Sequence, residues 1–350
     1  MATTVYVSNA EDGDISVYGL GPSGELRPSS RVPLGGPVMP LAISPDRRFL
    51  YAAVRSKPFS VHAFAIEPGN GALKALGKAP LAESCPYISL DHTGRTLLGA
   101  SYAGHLVSAS PVGTDGRVGE PKQVIPVGRN AHAIRVDRTN RFAYVPTLGT
   151  DQIFQFTFDG AAGRLASNTP ALCQMKPGAG PRHFVISSDN RFLYALSELQ
   201  ATVTIFSLNS ETGLLAELGT CAGLPADSRL GPGAPRGPDA PPRERDSDVW
   251  AADLHLTPDN RFLYVSERTR STLGAFRVEG EGRLSWLAST PTEKQPRGFA
   301  IDPQGRFLVA AGEKSTMLSV HAIDEDGSLS PARRFPGGRG GNWVTMVAFD

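Results

Sequence analysis

Apolar and polar positions along this chain alternate in short runs, each bounded by clusters of Gly, Pro, Asn, Asp and Ser, and a helical spacing of apolar residues is nearly absent. The stretch 180–219 shows the plan most clearly. PRHFVIS predicts a strand, SSDN a turn, RFLYALS a second strand, TVTIFSL a third with alternating apolar positions, SETG a turn, and LLAELG a short fourth strand. Sheets that bury both faces against their neighbours are expected to show both such alternation and continuous apolar runs such as RFLYAL.

The same plan recurs along the chain. A turn followed by a strand appears as SPDRRFLYAAV (44–54), DHTGRTLLGAS (91–101), DRTNRFAYVPT (137–147), SSDNRFLYALS (187–197), TPDNRFLYVSE (257–267) and DPQGRFLVAAG (302–312). The arginines anchoring these copies, Arg48, Arg95, Arg141, Arg191, Arg261 and Arg306, are spaced by 47, 46, 50, 70 and 45 residues. The one long interval contains LPADSRLGPGAPRGPDAPPRERDSD (224–248), rich in Pro, Gly and charge and without apolar period, which reads as a loop insertion within one repeat. Four antiparallel strands per repeat of this length are the blade of a β-propeller.

The ends complete the count. TVYVSN, ISVYGL and ELRPSSRV at the start match the second, third and fourth strands of a blade, and NWVTMVAFD (342–350) matches a first strand. Pairing the carboxy-terminal strand with the amino-terminal three closes the ring and removes two open strand edges. The expected fold is therefore all-β: a single seven-bladed β-propeller over residues 1–350, four antiparallel strands per blade.

Charge narrows the function. Lys plus Arg number 35 against 34 Asp plus Glu, so no global basic field exists to hold nucleic acid or an anionic membrane, and any anion specificity must be local. Cys85, Cys173 and Cys221 are odd in number, widely spaced and without a CxxC pair, which argues against a disulfide framework or zinc site. MATTVYVSN at the start enters strand pattern at once, and no apolar run approaches a membrane span. The expectation is a soluble, cytoplasmic protein, monomeric or weakly homo-oligomeric, with no metal and no cofactor.

The first strand of each blade lines a propeller's central channel, and an antiparallel hairpin returns the second strand to the same mouth. Counted from the anchoring arginine, the channel-mouth positions lie eight and nine residues before it and seven after it. The early positions hold Met39 and Pro40, Pro86 and Tyr87, His132 and Ala133, Arg182 and His183, Ala252 and Asp253, Arg297 and Gly298; the late position holds Arg55, Tyr102, Leu148, Glu198, Arg268 and Glu313. Scaffold positions repeat the same residue type, yet these differ from blade to blade, and seven of the eighteen carry a formal charge. Arginines hold phosphate or carboxylate in two-pronged fashion, a carboxylate and imidazoles beside them accept a proton from water, and a further arginine stabilises an oxyanion. Hydrolysis of a small anionic lactone needs all three. His132, Glu198, Arg182 and Arg268 are the candidate catalytic residues, with His183, Asp253, Arg297, Arg55 and Tyr102 as candidate substrate-binding residues. The blander alternative is a structural ion network in which Arg182, Arg268 and Arg297 pair with Glu198, Asp253 and Glu313. His92, His105, His255 and His321 show no partner pattern and read as structural. GASYAG (99–104) is not a G-x-S-x-G elbow, and no Walker loop, HExxH or dinucleotide fingerprint is present.

In GPRHFVIS (180–187), LYALSELQATV (193–203), WAADLHLTPDNRFLYVSERT (250–269) and QPRGFAIDPQGRFLVAAGEKS (295–315) the sequence resembles the bacterial propeller-type 6-phosphogluconolactonases, relatives of the fungal carboxy-muconate cyclases. The resemblance runs from VYVSN to NWV, essentially the whole chain apart from the insertion. It implies a pocket at the channel mouth in which His132, Arg182, Glu198 and Arg268 match the histidine, arginine, glutamate and arginine of the cyclase branch, serving proton transfer and substrate anchoring. It also implies opening of 6-phospho-D-glucono-1,5-lactone to 6-phospho-D-gluconate, with another sugar lactone or a carboxymuconate as the alternative substrate. Gly149 stands where some lactonases carry a lysine, and the insertion is not typical. A propeller that only binds protein partners through its rims is the competing non-enzymatic reading.

Overall fold

The structure, a computed structural model, describes residues 2–236 and 246–349; the middle of the expected insertion, 237–245, lies outside the described residues. The described strands form seven four-stranded antiparallel sheets arranged as the blades of a propeller. Numbered from the first complete repeat, blades 1 to 6 have as innermost strands Val38–Ile43, Tyr87–Leu90, Arg135–Val136, Pro181–Ile186, Ala251–Leu256 and Pro296–Ile301. The seventh, the seam blade, has Gly341–Phe349 innermost and Ala2–Asn9, Asp14–Leu20 and Leu26–Pro33 outside it. Its closing register runs from Ala2 opposite Phe349 to Asn9 opposite Gly341, so the two ends of the chain are joined by a full strand of backbone hydrogen bonds. Asn342 adds a side-chain tie, its Nδ2 donating to Val38 O of blade 1 at 2.9 Å. No helix among the described residues is long and apolar enough to cross a membrane.

The cores lie between blades. Second strands such as Phe49–Val54, Phe142–Thr147, Phe192–Ser197 and Phe262–Glu267 are buried at every position, as their unbroken apolar runs require. Fourth strands such as Leu215–Ala222 are largely in water.

The recurrent Arg-Phe pair has a packing reason, seen where blade 3 meets blade 4. The Arg141 guanidinium covers the Phe142 ring at 5.4 Å, and the Tyr144 hydroxyl donates to Gly213 O at 2.8 Å. Gly213 sits at φ 69°, and a Cβ there would lie 2.1 Å from the Phe142 ring. Only glycine fits such a left-handed turn pressed against the neighbouring blade. Tyr6, Tyr51 and Tyr264 donate in the same way to Gly71, Gly116 and Gly327. The turn before each Arg-Phe pair is built from side-chain oxygens. In blade 3, Asp137 Oδ1 accepts the N–H groups of Arg141 and Phe142, both at 3.0 Å, while Asn140 takes φ 59°.

Two features of the innermost strands position the site. In blades 1, 4, 5 and 6 the register shifts between Val38 and Leu41, Pro181 and His183, Ala251 and Leu254, and Pro296 and Gly298. Each shift is a β-bulge, and each falls on the channel-mouth positions. In blade 3 the innermost strand is reduced to Arg135–Val136, so His132 lies ahead of it, in irregular backbone after the isolated bridge between Ala131 and Thr147.

Candidate active site

A regular strand sends consecutive side chains to opposite faces, which would prevent neighbours such as Arg182 and His183 from serving one site. The bulge removes that constraint by setting an extra residue against the partner strand and re-aiming it. Pro181 pairs with Ser197 and His183 with Leu196, leaving Arg182 as the extra residue. Arg297 is placed likewise between Pro296 and Gly298 in blade 6.

The side chains so directed meet in one cavity of about 390 Å³ at the channel mouth. Its walls include His132 from blade 3, Arg182 and Glu198 from blade 4, Arg268 from blade 5, Arg297 from blade 6, Arg55 from blade 1 and Tyr102 from blade 2. Trp250, just ahead of blade 5, and Arg236, from the segment before it, complete the polar wall, and Met39 and Pro86 supply apolar lining.

Glu198 is the electrostatic centre. Its Oε2 lies 2.8 Å from Arg182 Nε, an ion contact in which the N–H is not aligned on the oxygen, and 3.1 Å from Arg268 Nη2. Arg182 and Arg268 are 1% and 2% exposed, which is exceptional for arginine. Backbone carbonyls share their load: Arg182 Nη1 donates to Ala252 O, Arg268 Nη2 to Ala251 O at 3.0 Å, and Arg268 Nε to Trp250 O at 3.2 Å. Burial pushes the two guanidinium groups down to about 10 and about 9 against the pull of Glu198, so both stay charged near neutrality. Arg297 Nη1 donates to Glu313 Oε1 at 3.2 Å, and Glu313 lies 4.0 Å from Arg268 Nη1.

Beside this network stands a set of rings. His132 lies edge-on to Tyr102 and to His183, with centroids at 5.7 and 5.1 Å, and His183 in turn packs on Tyr87 and Trp343 at 5.0 and 5.8 Å. Burial, reinforced by Arg182 and His183, holds His132 well below the ordinary imidazole range, so the ring is neutral; its Nδ1 is buried with no hydrogen-bond partner. Burial and Arg182 likewise push His183 down to about 3, despite Asp253. Neutral His183 donates from Nδ1 to Asp253 Oδ1 at 2.8 Å, and Asp253 Oδ2 lies 3.1 Å from His255 Nε2. Burial would raise the Asp253 carboxyl, but His255 and His183 outweigh it and hold it below the usual carboxylate range.

Seven of the nine sequence-derived candidates thus line one cavity. The other two do not: His183 and Asp253 are buried away from its surface, and their contacts orient the histidine cluster. The expected ion network is partly present, but Asp253 pairs with His183 and His255 and not with an arginine. His255, read as structural for want of a partner, belongs to that chain. His92, His105 and His321 do bind backbone groups of the scaffold. Trp250 and Arg236 were not singled out because they fall outside the repeat positions; the one hint was the arginine content of the insertion and a Trp directly after it. Among the described residues no group of three or more His, Cys, Asp or Glu side chains is arranged to hold a metal ion.

Comparison with known proteins agrees with this architecture. The chain is 38% identical to a 6-phosphogluconolactonase of Pectobacterium carotovorum over 355 aligned positions, spanning all of both chains. It is also 38% identical to one of Serratia proteamaculans, over 99% of this chain and all of the other. Among solved structures, a periplasmic gluconolactonase of Pseudomonas aeruginosa superposes over the whole of both chains with a TM-score of 0.87 at 27% identity. A Lactobacillus plantarum protein at 22% identity shares the fold, with a TM-score of 0.87 over 99% of this chain and all of the other. The profile described as "Lactonase, 7-bladed beta-propeller" matches residues 3–346, and with blades, seam and channel-mouth pocket in place the chain belongs to that lactonase family.

Proposed function

We propose that the chain hydrolyses 6-phospho-D-glucono-1,5-lactone to 6-phospho-D-gluconate, a step of the pentose phosphate pathway. The observation that carries this reading is the meeting of His132, Arg182, Glu198 and Arg268, from three blades, in one cavity of about 390 Å³. That volume suits a single sugar-sized ligand.

Water attacks the lactone carbonyl carbon, the new C–O bond forms a tetrahedral oxyanion, and the bond to the ring oxygen then breaks. The water proton passes to an acceptor and from there to the departing ring oxygen. Two groups are placed to accept it. Both arginines approach Oε2 of Glu198 most closely, leaving Oε1 for the water; His132 brings a neutral imidazole to the same cavity wall. Arg182 and Arg268, already charged and held by backbone carbonyls, stabilise the oxyanion without reorganising. Arg297 and Arg55, on the wall of the same cavity, add to the positive charge that draws an anionic substrate in. His183 and Asp253 act from behind, fixing the packing of His132. The three unpaired cysteines support a cytoplasmic setting.

The test is direct: the lactone, generated in situ, is followed against its spontaneous opening. Acceleration by the purified protein, lost in Glu198→Gln or His132→Gln, is the expected result; an unchanged decay rate refutes the substrate. The similarity to a gluconolactonase favours a second reading, in which the same machinery opens the unphosphorylated lactone, and the ratio of kcat/KM for the two lactones decides between them.

A further inference from the structure

The insertion reaches the active-site cavity. Its described limbs are tied together, Gly231 N–H donating to Ser247 O at 2.8 Å and Val249 N–H to Gly231 O at 2.9 Å, and Gly233 N–H anchors them to Leu199 O of blade 4 at 2.7 Å. A Cβ on Gly233 would fall 2.3 Å from Val249 O, so this limb is pressed against its scaffold. Arg236 follows directly. Its Cζ lies 3.6 Å from the centroid of Trp250, and that of Arg268 lies 3.7 Å from the same ring. Two guanidinium groups cannot share one face at that height without colliding, so the indole is clamped between them. Stacking uses the face of a guanidinium and leaves its in-plane N–H donors for hydrogen bonds.

Arg236, Trp250 and Arg268 line the active-site cavity and also a smaller one beside it, of about 190 Å³. Lys294 and Ser271 bring an ammonium and a hydroxyl to the smaller space, and among the described residues Asp246 is the acidic one on its wall. The small cavity is below the range that encloses a whole sugar ligand but has room for a phosphate group. Planar arginine donors beside a lysine are the donor set that phosphate selects.

We infer that this side cavity is the seat of the substrate's phosphate, and that Arg236, delivered by the insertion, is the residue that discriminates a phosphorylated lactone from an unphosphorylated one. The inference rests on the function proposed above and says which end of the site reads the anionic arm: the sugar ring occupies the large cavity, its carbonyl near Glu198 and Arg182, and the phosphate lies across the Trp250 clamp with Lys294. Arg236 and Lys294 are specificity residues, without a part in proton transfer.

Arg236→Gln, Arg236→Lys and Lys294→Gln in the full chain test it, each checked for an unchanged melting profile. The expected result is a fall in kcat/KM for 6-phosphogluconolactone at least tenfold greater than that for gluconolactone, carried by KM, with Arg236→Lys intermediate. Equal losses on the two lactones, or none, overturn the inference. Calorimetric titration with 6-phosphogluconate and with gluconate keeps it separate from the substrate assignment: wild type accelerating neither lactone refutes the proposed reaction. In that case 6-phosphogluconate binding more tightly than gluconate, with the advantage lost in Arg236→Gln, still supports the phosphate seat. Equal binding of the two acids overturns it.

Discussion

Replacing Glu198 by Gln keeps the shape of the side chain and removes the one charge that two almost fully buried arginines share. At separations of 2.8 and 3.1 Å each contact carries a gross attraction of roughly 5–6 kcal/mol at the effective dielectric of about 20 that suits such sites. Much of it offsets the cost of taking three charges out of water, so the measurable loss is that of breaking a buried pair, about 3–5 kcal/mol. For a chain of this size that corresponds to a fall in melting temperature of roughly 4–7 °C. Arg268→Met in the Glu198→Gln background should cost less than the two single changes together, with a coupling of about 1–3 kcal/mol, because the variant carbonyl no longer faces a second stranded cation. Thermal melting by circular dichroism measures the first effect and a double-mutant cycle the second. Lactone turnover on the same samples should fall by about 10²–10⁴ if Glu198 takes the proton. A Glu198→Gln protein that melts within about 1 °C of wild type and retains most of its turnover would refute the view that this carboxylate organises the site.

Three further outcomes are expected. Gly213→Ala forces a Cβ toward the Phe142 ring at φ 69° and should cost about 2–4 kcal/mol in stability while turnover per folded molecule stays the same, checked by melting and by active-site titration. His183, near 6.5 when unfolded and about 3 when folded, binds fewer protons in the native state. Its contribution is therefore complete above about pH 6.5 and drains away as the pH falls toward 3, by at most about 1.4 kcal/mol per pH unit. His183→Gln should flatten the melting-temperature profile over that window, and an identical slope in the variant would contradict the assignment. Truncation after Gly340 removes the inner strand of the seam blade, leaves the Ala2–Asn9 edge unpaired, and should yield aggregating protein by light scattering, whereas an intact soluble monomer would show that the seam is dispensable.

The blade plan was legible in the sequence because each blade meets the same packing problem. Arg141 over Phe142, Tyr144 to Gly213 and the Asp137 turn recur at fixed offsets, and residues under identical constraint repeat visibly. The seam was legible for the same reason: three strands without a first and one strand without successors have a single mutual solution. The channel-mouth positions stood out by contrast, being the places where the repeat breaks its own pattern in charge.

Other features arise between blades and leave no periodic mark. The bulges that let both Arg182 and His183 turn inward depend on strand register, and a register shift of one residue is invisible in composition. Whether a charged position faces the cavity or lies behind it is a matter of depth along the channel, which is why His183 and Asp253 were placed with the binding residues and sit beneath them. His255 looked partnerless because its partner, Asp253, lies two residues away on the same face of the same strand and not at an equivalent position of another blade. Trp250 and Arg236 escaped the repeat altogether, since a clamp between an insertion and a blade is a tertiary contact with no counterpart elsewhere in the ring. Local propensity and repetition thus specify what every blade has in common; the chemistry lies in what the blades do not share, and only their closure into a ring brings those differences within reach of one small molecule.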